Sequence, residues 1–194
     1  MSIIYKMQVL NALKNVLGFC DIGTKILYSS SFLPLAKKNR MHFLLSVDLG
    51  VKTGLAMFRS DGRLLWFRSQ NFGNASRLKR AIPWILNQEE ELSHLIIEGG
   101  GPLLKIWKTE TEKRNIYLIS IMADEWRSSL LFDRERRKGT QAKMFALNFA
   151  EKAIHHLCDH RATSLNNDAA EAILIGIYGM QKLGWIADAQ QYFR

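Results

Sequence analysis

The stretch FLLSVDLGVKTGLAMFRSDGRLLWFRSQ, Phe43 to Gln70, decides the fold. Phe43 to Leu49 is an apolar run of strand length, and a short Gly-bounded turn separates it from a second run, Gly54 to Arg59. Ser60-Asp61-Gly62 reads as a hairpin turn because Asp-Gly tolerates positive φ, and Leu64 to Gln70 completes a third strand. Three antiparallel strands are therefore expected to open the domain.

Outward from this block the pattern alternates. Asn74 is a helix cap, and the helix towards Asn87 carries Leu78, Ile82 and Ile85 on one face, with Pro83 expected to bend or break it. His94 to Glu98 is a short apolar strand ending in an acid. Leu103 to Arg114 has helical periodicity and Ile116 to Ile121 reads as a strand. Two amphipathic helices should follow over Gln141 to Leu157 and Asp168 to Leu183. No internal repeat or low-complexity tract interrupts this order.

Length and composition bound the rest. With 194 residues, 47% of them hydrophobic, the chain can build one domain with a substantial core. No apolar run reaches the length of a membrane span. The net charge of +9 favours a polyanionic partner, but residues 1–40 carry six Lys/Arg against Asp21 alone, so more than half the excess lies outside the expected domain. That basic, acid-poor segment, with Ser29-Ser30-Ser31, has the composition of an organellar transit peptide, which would place the protein in a plastid or mitochondrion. An ordinary N-terminal helix from Ile3 to Leu17, or an upstream start codon that is not used with Met41 opening the ordered pattern, are the alternatives. The expected layout is an extension over 1–40, a domain over 41–186 and a tail over 187–194. Cys20 and Cys158 lack the number and spacing of a disulfide framework, which suits a reducing intracellular compartment.

The chemistry rests on four acids. Asp48 ends the first strand beside Gly50 and Gly54, which leave the backbone open to close approach by a ligand. Glu98 ends its own strand before Gly99-Gly100-Gly101, and ligands of such sheets gather beyond strand ends. Asp168 and Glu171 project from one face of the last helix, with only Ala169 and Ala170 between them, so that helix can lie close to the sheet. If it does, the four carboxylates converge, and their mutual repulsion calls for divalent cations. Oxygen-only ligands select hard ions: Mg²⁺, with Mn²⁺ as a substitute, in a pair about 4 Å apart that activates water and stabilises a leaving oxygen. Asp48 would bridge both ions, Glu98 and Asp168 would hold one each, and Glu171 would complete the shell or assist water. Singly, each acid reads more simply as a solvated strand end or a partner of a helix dipole; together, their spacing and the flanking glycines favour the metal site.

Ser46-Val47-Asp48-Leu49-Gly50 with Gly54 and Ala56, Ile96-Ile97-Glu98, and Asp168-Ala169-Ala170-Glu171-Ala172 together resemble the RuvC-like Holliday-junction resolvases of the ribonuclease H superfamily, in the right order from about Phe43 to Gly179. The resemblance implies an α/β fold, a ribonuclease H-like five-stranded mixed sheet with three antiparallel strands and then parallel ones, flanked by helices. It also implies a Mg²⁺-dependent homodimer that nicks four-way DNA junctions symmetrically. Asp48, Glu98 and Asp168 match the family's acids, whereas Glu171 stands where an Asp is usual and the triple glycine is a further departure. Trp126-Arg127 and the run Arg134, Arg136, Arg137, Lys138 and Lys143 resemble the family's DNA-contacting segment; a solvated loop with Asp133 and Glu135 is the plainer reading. Trp66, Trp84, Trp107 and Trp185 are expected in the core or an interface.

Other readings are weaker. His155, His156, Cys158 and His160 lack a second cluster for zinc, although His160 is placed to approach the centre as a proton donor. An actin-like or sugar-kinase domain would need a duplicated half, and a proofreading exonuclease would want an acid where Gly50 stands. A binding protein that has lost turnover and a nuclease acting on RNA or hybrids remain as alternatives.

Overall fold

The computed structural model describes residues 41–136, 139–158 and 165–190, without the side chains of residues 134, 136 and 139–141. The expected extension over 1–40, Arg137, Lys138 and His160 lie outside the described residues. The first three strands are β1 (Phe43–Asp48), β2 (Lys52–Arg59) and β3 (Leu64–Asn71). They are joined as antiparallel neighbours, with Asp48 opposite Gly54 and Gly54 opposite Ser69. The hairpin between β2 and β3 turns at Gly62, whose φ of 90° suits glycine, and the Asp61 carboxylate accepts from the Arg63 amide at 3.3 Å.

Two parallel strands, β4 (Leu92–Glu98) and β5 (Tyr117–Ile121), extend the sheet on the other side of β1, giving the order β3-β2-β1-β4-β5. A parallel pair needs a crossover connection, and two helices supply them: α1 (Ala75–Leu86) before β4 and α2 (Gly101–Lys113) before β5. Asn74 caps α1 through its side chain, as expected. The helix runs through Pro83 and ends one turn later, so the proline precedes the terminus rather than breaking the element. The remaining helices are α3 (Ala123–Leu130), α4 (Asp133–Arg136), α5 (Gly139–Leu157) and α6 (Asn167–Lys182). Neither α3 nor α4 was anticipated from periodicity, since each is too short to show more than one or two buried positions. Among the described residues no helix is long and apolar enough to cross a membrane.

Side-chain alternation divides the sheet into two buried faces. Leu45, Val47, Leu55, Met57, Leu95 and Ile97 meet α1 and α2 around Trp107, while Leu44, Ala56, Phe58 and Ile96 meet α3, α5 and α6. On this second face α6 lies against the sheet with almost no side chain between them. A methyl group at Gly54 would come within 1.9 Å of the Asp168 carbonyl oxygen, one at Gly176 within 2.0 Å of the Phe58 ring, and one at Gly179 within about 3 Å of Leu44 and Ile96. Ala172 also borders Gly54. These positions recur at helical spacing, so they form one bare stripe. Buried Ser46 of β1 clips the contact, donating its hydroxyl to the Ala172 carbonyl at 2.7 Å.

Gly176→Ala should overpack this interface. A loss of about 1–3 kcal/mol in unfolding free energy is expected, measured by urea denaturation. An unchanged midpoint would mean that α6 stands further from Phe58 than described.

Candidate metal centre

Asp48 and Glu98 end adjacent parallel strands and face each other in register. The bare stripe brings the start of α6 over the same sheet end, and Asn166 caps it by accepting from the Ala169 amide at 3.0 Å. Glu171 thereby joins the two strand-end acids. One carboxylate oxygen from each of Asp48, Glu98 and Glu171 lies within 4.8 Å of the others, the only such metal-capable group among the described residues. The donors are all oxygens on partly buried side chains, a set suited to a hard divalent cation.

Electrostatics point the same way. Burial, then the charges of Glu171, Glu98 and Asp168, push the Asp48 carboxyl from 3.8 to about 7, against a smaller opposing effect of Arg127. Burial likewise raises Glu171; Arg127 and Lys143 work against the rise, and Glu98 and Asp168 add to it. Asp48 and Glu171 are thus poorly compensated by the protein's own cations, and an added dication would relieve them.

The fourth acid is placed differently. Asp168 stays outside the group of three; its Oδ2 accepts from Ser69 Oγ at 2.8 Å and pairs with Lys52 Nζ at 2.6 Å. Partial burial pushes its carboxyl up, but the hydrogen bonds from Lys52 and Ser69 outweigh that and hold it below its ordinary value. The glycines also differ from expectation. Gly54 is buried under α6 and offers a ligand no bare backbone, whereas Gly50 is half-buried in a turn where a side chain would meet the Lys52 carbonyl. Gly100 and Gly101, where a methyl group would meet nothing within 4 Å, are the open ones, and Gly99 and Gly101 take φ of 116° and 71° as the chain turns away from Glu98.

Trp126 is not free to face DNA. It is fully buried, and its indole Nε1–H donates to Glu98 Oε2. Arg127 lies over the Trp126 ring at 5.0 Å and reaches Glu171 Oε1 at 3.4 Å. Trp126 and Arg127 thus each contact one of the acids. Lys143 is exposed on α5, Arg136 belongs to α4, and the side chain of Arg136 together with Arg137 and Lys138 falls outside the described residues. Of the other tryptophans, Trp107 is fully buried and Trp66 and Trp185 pack partly buried against the core, as expected, whereas Trp84 is exposed; Trp66 and Trp84 both lie against the Arg68 guanidinium.

No protein-family model matches this chain, and no curated protein matches it by sequence. Among solved structures it is similar to RuvC of T. thermophilus in complex with a Holliday junction substrate, with a TM-score of 0.52 and 11% identity over 74% of this chain and 96% of that one. The yeast mitochondrial Holliday junction resolvase Ydc2 follows at 0.47 and 12% identity, covering 77% and 83%, and the catalytic core domain of BIV integrase at 0.31 and 8%, covering 70% and 82%. The strand order and the T. thermophilus match agree. The chain has the ribonuclease H-like fold of RuvC. In this RuvC-like fold Asp48, Glu98 and Glu171 share one sheet end, and that acidic group is able to bind a metal ion.

Two outcomes are expected at the centre. Trp126→Phe keeps the buried ring but removes the donor to Glu98, and should weaken Mn²⁺ binding by roughly 10-fold or more, read from a Mn²⁺ titration. Undiminished affinity would show that the indole is only core. The second concerns pH: because Asp48 is raised to about 7 in the folded chain, the fold retains a proton there that the unfolded chain releases near 3.8. This contribution to stability is complete at low pH and disappears as pH rises through the folded value. In EDTA, the melting temperature of the wild type relative to Asp48→Asn should therefore drop from about pH 5 to about pH 8. A pH-independent difference would contradict the raised value.

Proposed function

We propose that this chain is a metal-dependent, structure-selective endonuclease that hydrolyses phosphodiester bonds in branched DNA, acting as a homodimer on four-way junctions. The convergence of Asp48, Glu98 and Glu171 at one rim of a ribonuclease H-like sheet carries this reading. The likeness to RuvC bound to a Holliday junction suggests the substrate, and symmetric nicking of a four-way junction calls for two copies of the centre.

Asp48, Glu98 and Glu171 would hold Mg²⁺, with Mn²⁺ as a substitute. The bound cation supplies Lewis acidity, polarising a phosphoryl oxygen and lowering the pKa of water. Trp126 fixes the Glu98 carboxylate, and Arg127 limits the rotation of Glu171. We assign phosphate contacts along the approaching strand to Arg127, Arg136, Arg137, Lys138 and Lys143, where cations displace the counterions of DNA. The open backbone at Gly100 and Gly101 leaves space beside Glu98 for that strand.

The full-length chain with Mg²⁺ should place paired nicks in a four-way junction and cut linear duplex, flap and RNA–DNA hybrid substrates less. Asp48→Asn is expected to lower the rate on the order of 10²-fold or more, the scale of removing one preorganised electrostatic group. Equal rates for both proteins would remove the centre from the reaction, and preference for the hybrid would move the activity to RNA.

A further inference from the structure

Lys52 opens β2 two residues before Gly54, so strand alternation places its side chain on the face covered by α6. Ser69 lies opposite Gly54 on β3. Because Gly54 has no side chain, the space between Lys52 and Ser69 is left to α6, and Asp168 fills it. The turn that presents Lys52 is tightly specified. Thr53 Oγ1 donates to the Gly50 carbonyl at 2.6 Å, and a side chain at Gly50 would come within 2.7 Å of the Lys52 carbonyl.

One oxygen of Asp168 thus accepts from both the ammonium and the hydroxyl, and the residue stays out of the acidic group formed by Asp48, Glu98 and Glu171. The Lys52 side chain is 57% exposed, and an ion pair so open to water contributes little to stability. Its consequence is positional instead: the ammonium occupies Asp168 Oδ2, the carboxylate oxygen on which a second cation would depend, and repels a dication approaching it. Resting on the nuclease reading above, we infer that Lys52 takes the place of a second metal ion. The centre then binds one divalent cation, on Asp48, Glu98 and Glu171, and the Lys52 ammonium, paired with the Asp168 carboxylate that Ser69 holds, offers the second positive charge to a substrate phosphate.

The test is the stoichiometry of Mn²⁺ binding to the full chain, followed through the electron paramagnetic resonance signal of free Mn²⁺ and requiring no substrate. Wild type should bind about one ion per chain and Lys52→Met about two, the second disappearing again in Lys52→Met/Asp168→Asn. Lys52→Arg, which keeps the charge, should remain at one. Melting curves establish that each variant is folded. Two ions on the wild type, a reading that needs no variant, would overturn the role of Lys52 while leaving the nuclease proposal standing. A folded Lys52→Met that still binds a single ion would do the same. No ion on the wild type would overturn both.

Discussion

The nearly bare contact between α6 and the sheet is the constraint on which the other features depend. Helices usually stand off a sheet by the depth of their side chains, but here Gly54, Ala172, Gly176 and Gly179 remove that layer and Ser46 bonds directly to the helix backbone. The approach costs side-chain burial at those positions. Its return is positional: the first turns of α6 reach the strand ends, and a Glu171 oxygen comes within 4.8 Å of oxygens of Asp48 and Glu98. Had the stripe carried ordinary side chains, the three acids would have been separated by the width of a packed layer.

Close packing also sets the electrostatics. Partial burial removes water from carboxylates that already repel one another, and Asp48, facing both Glu98 and Glu171, takes the largest share of that strain. The protein answers locally rather than by neutralising the group. Trp126 and Arg127 contact Glu98 and Glu171, and Lys52 and Ser69 engage Asp168. The result is an acidic pocket whose members are held in orientation while their combined charge is left uncompensated, as ion binding requires.

Much of this architecture was legible along the chain. The short apolar runs between Phe43 and Gln70, the Asp-Gly turn and the Asn74 cap each act over a few residues, and local signals of that kind survive in a linear reading. Asp48 and Glu98 stood out because an acid closing an apolar strand is conspicuous. The helices α3 and α4 were hidden, being shorter than the window over which periodicity can be counted, and with them the burial of Trp126. Lys52 went unremarked because β2 appeared to begin at Gly54; starting it two residues earlier would have put Lys52 on the face of Gly54 and beneath the last helix.

From the sequence alone came the order of elements, the mixed sheet and the identity of the acids, since these depend on neighbouring residues and on the spacing of apolar positions. Which acids meet was decided only in three dimensions. Asp168 and Glu171 lie on the same helical face three residues apart, and nothing in their spacing says that one turns to the strand-end carboxylates while the other is taken by Lys52 and Ser69. The glycines illustrate the same limit: a missing side chain reads alike whether it leaves room for a ligand, as at Gly100, or for a helix, as at Gly54, because the occupant of the space comes from a distant part of the chain.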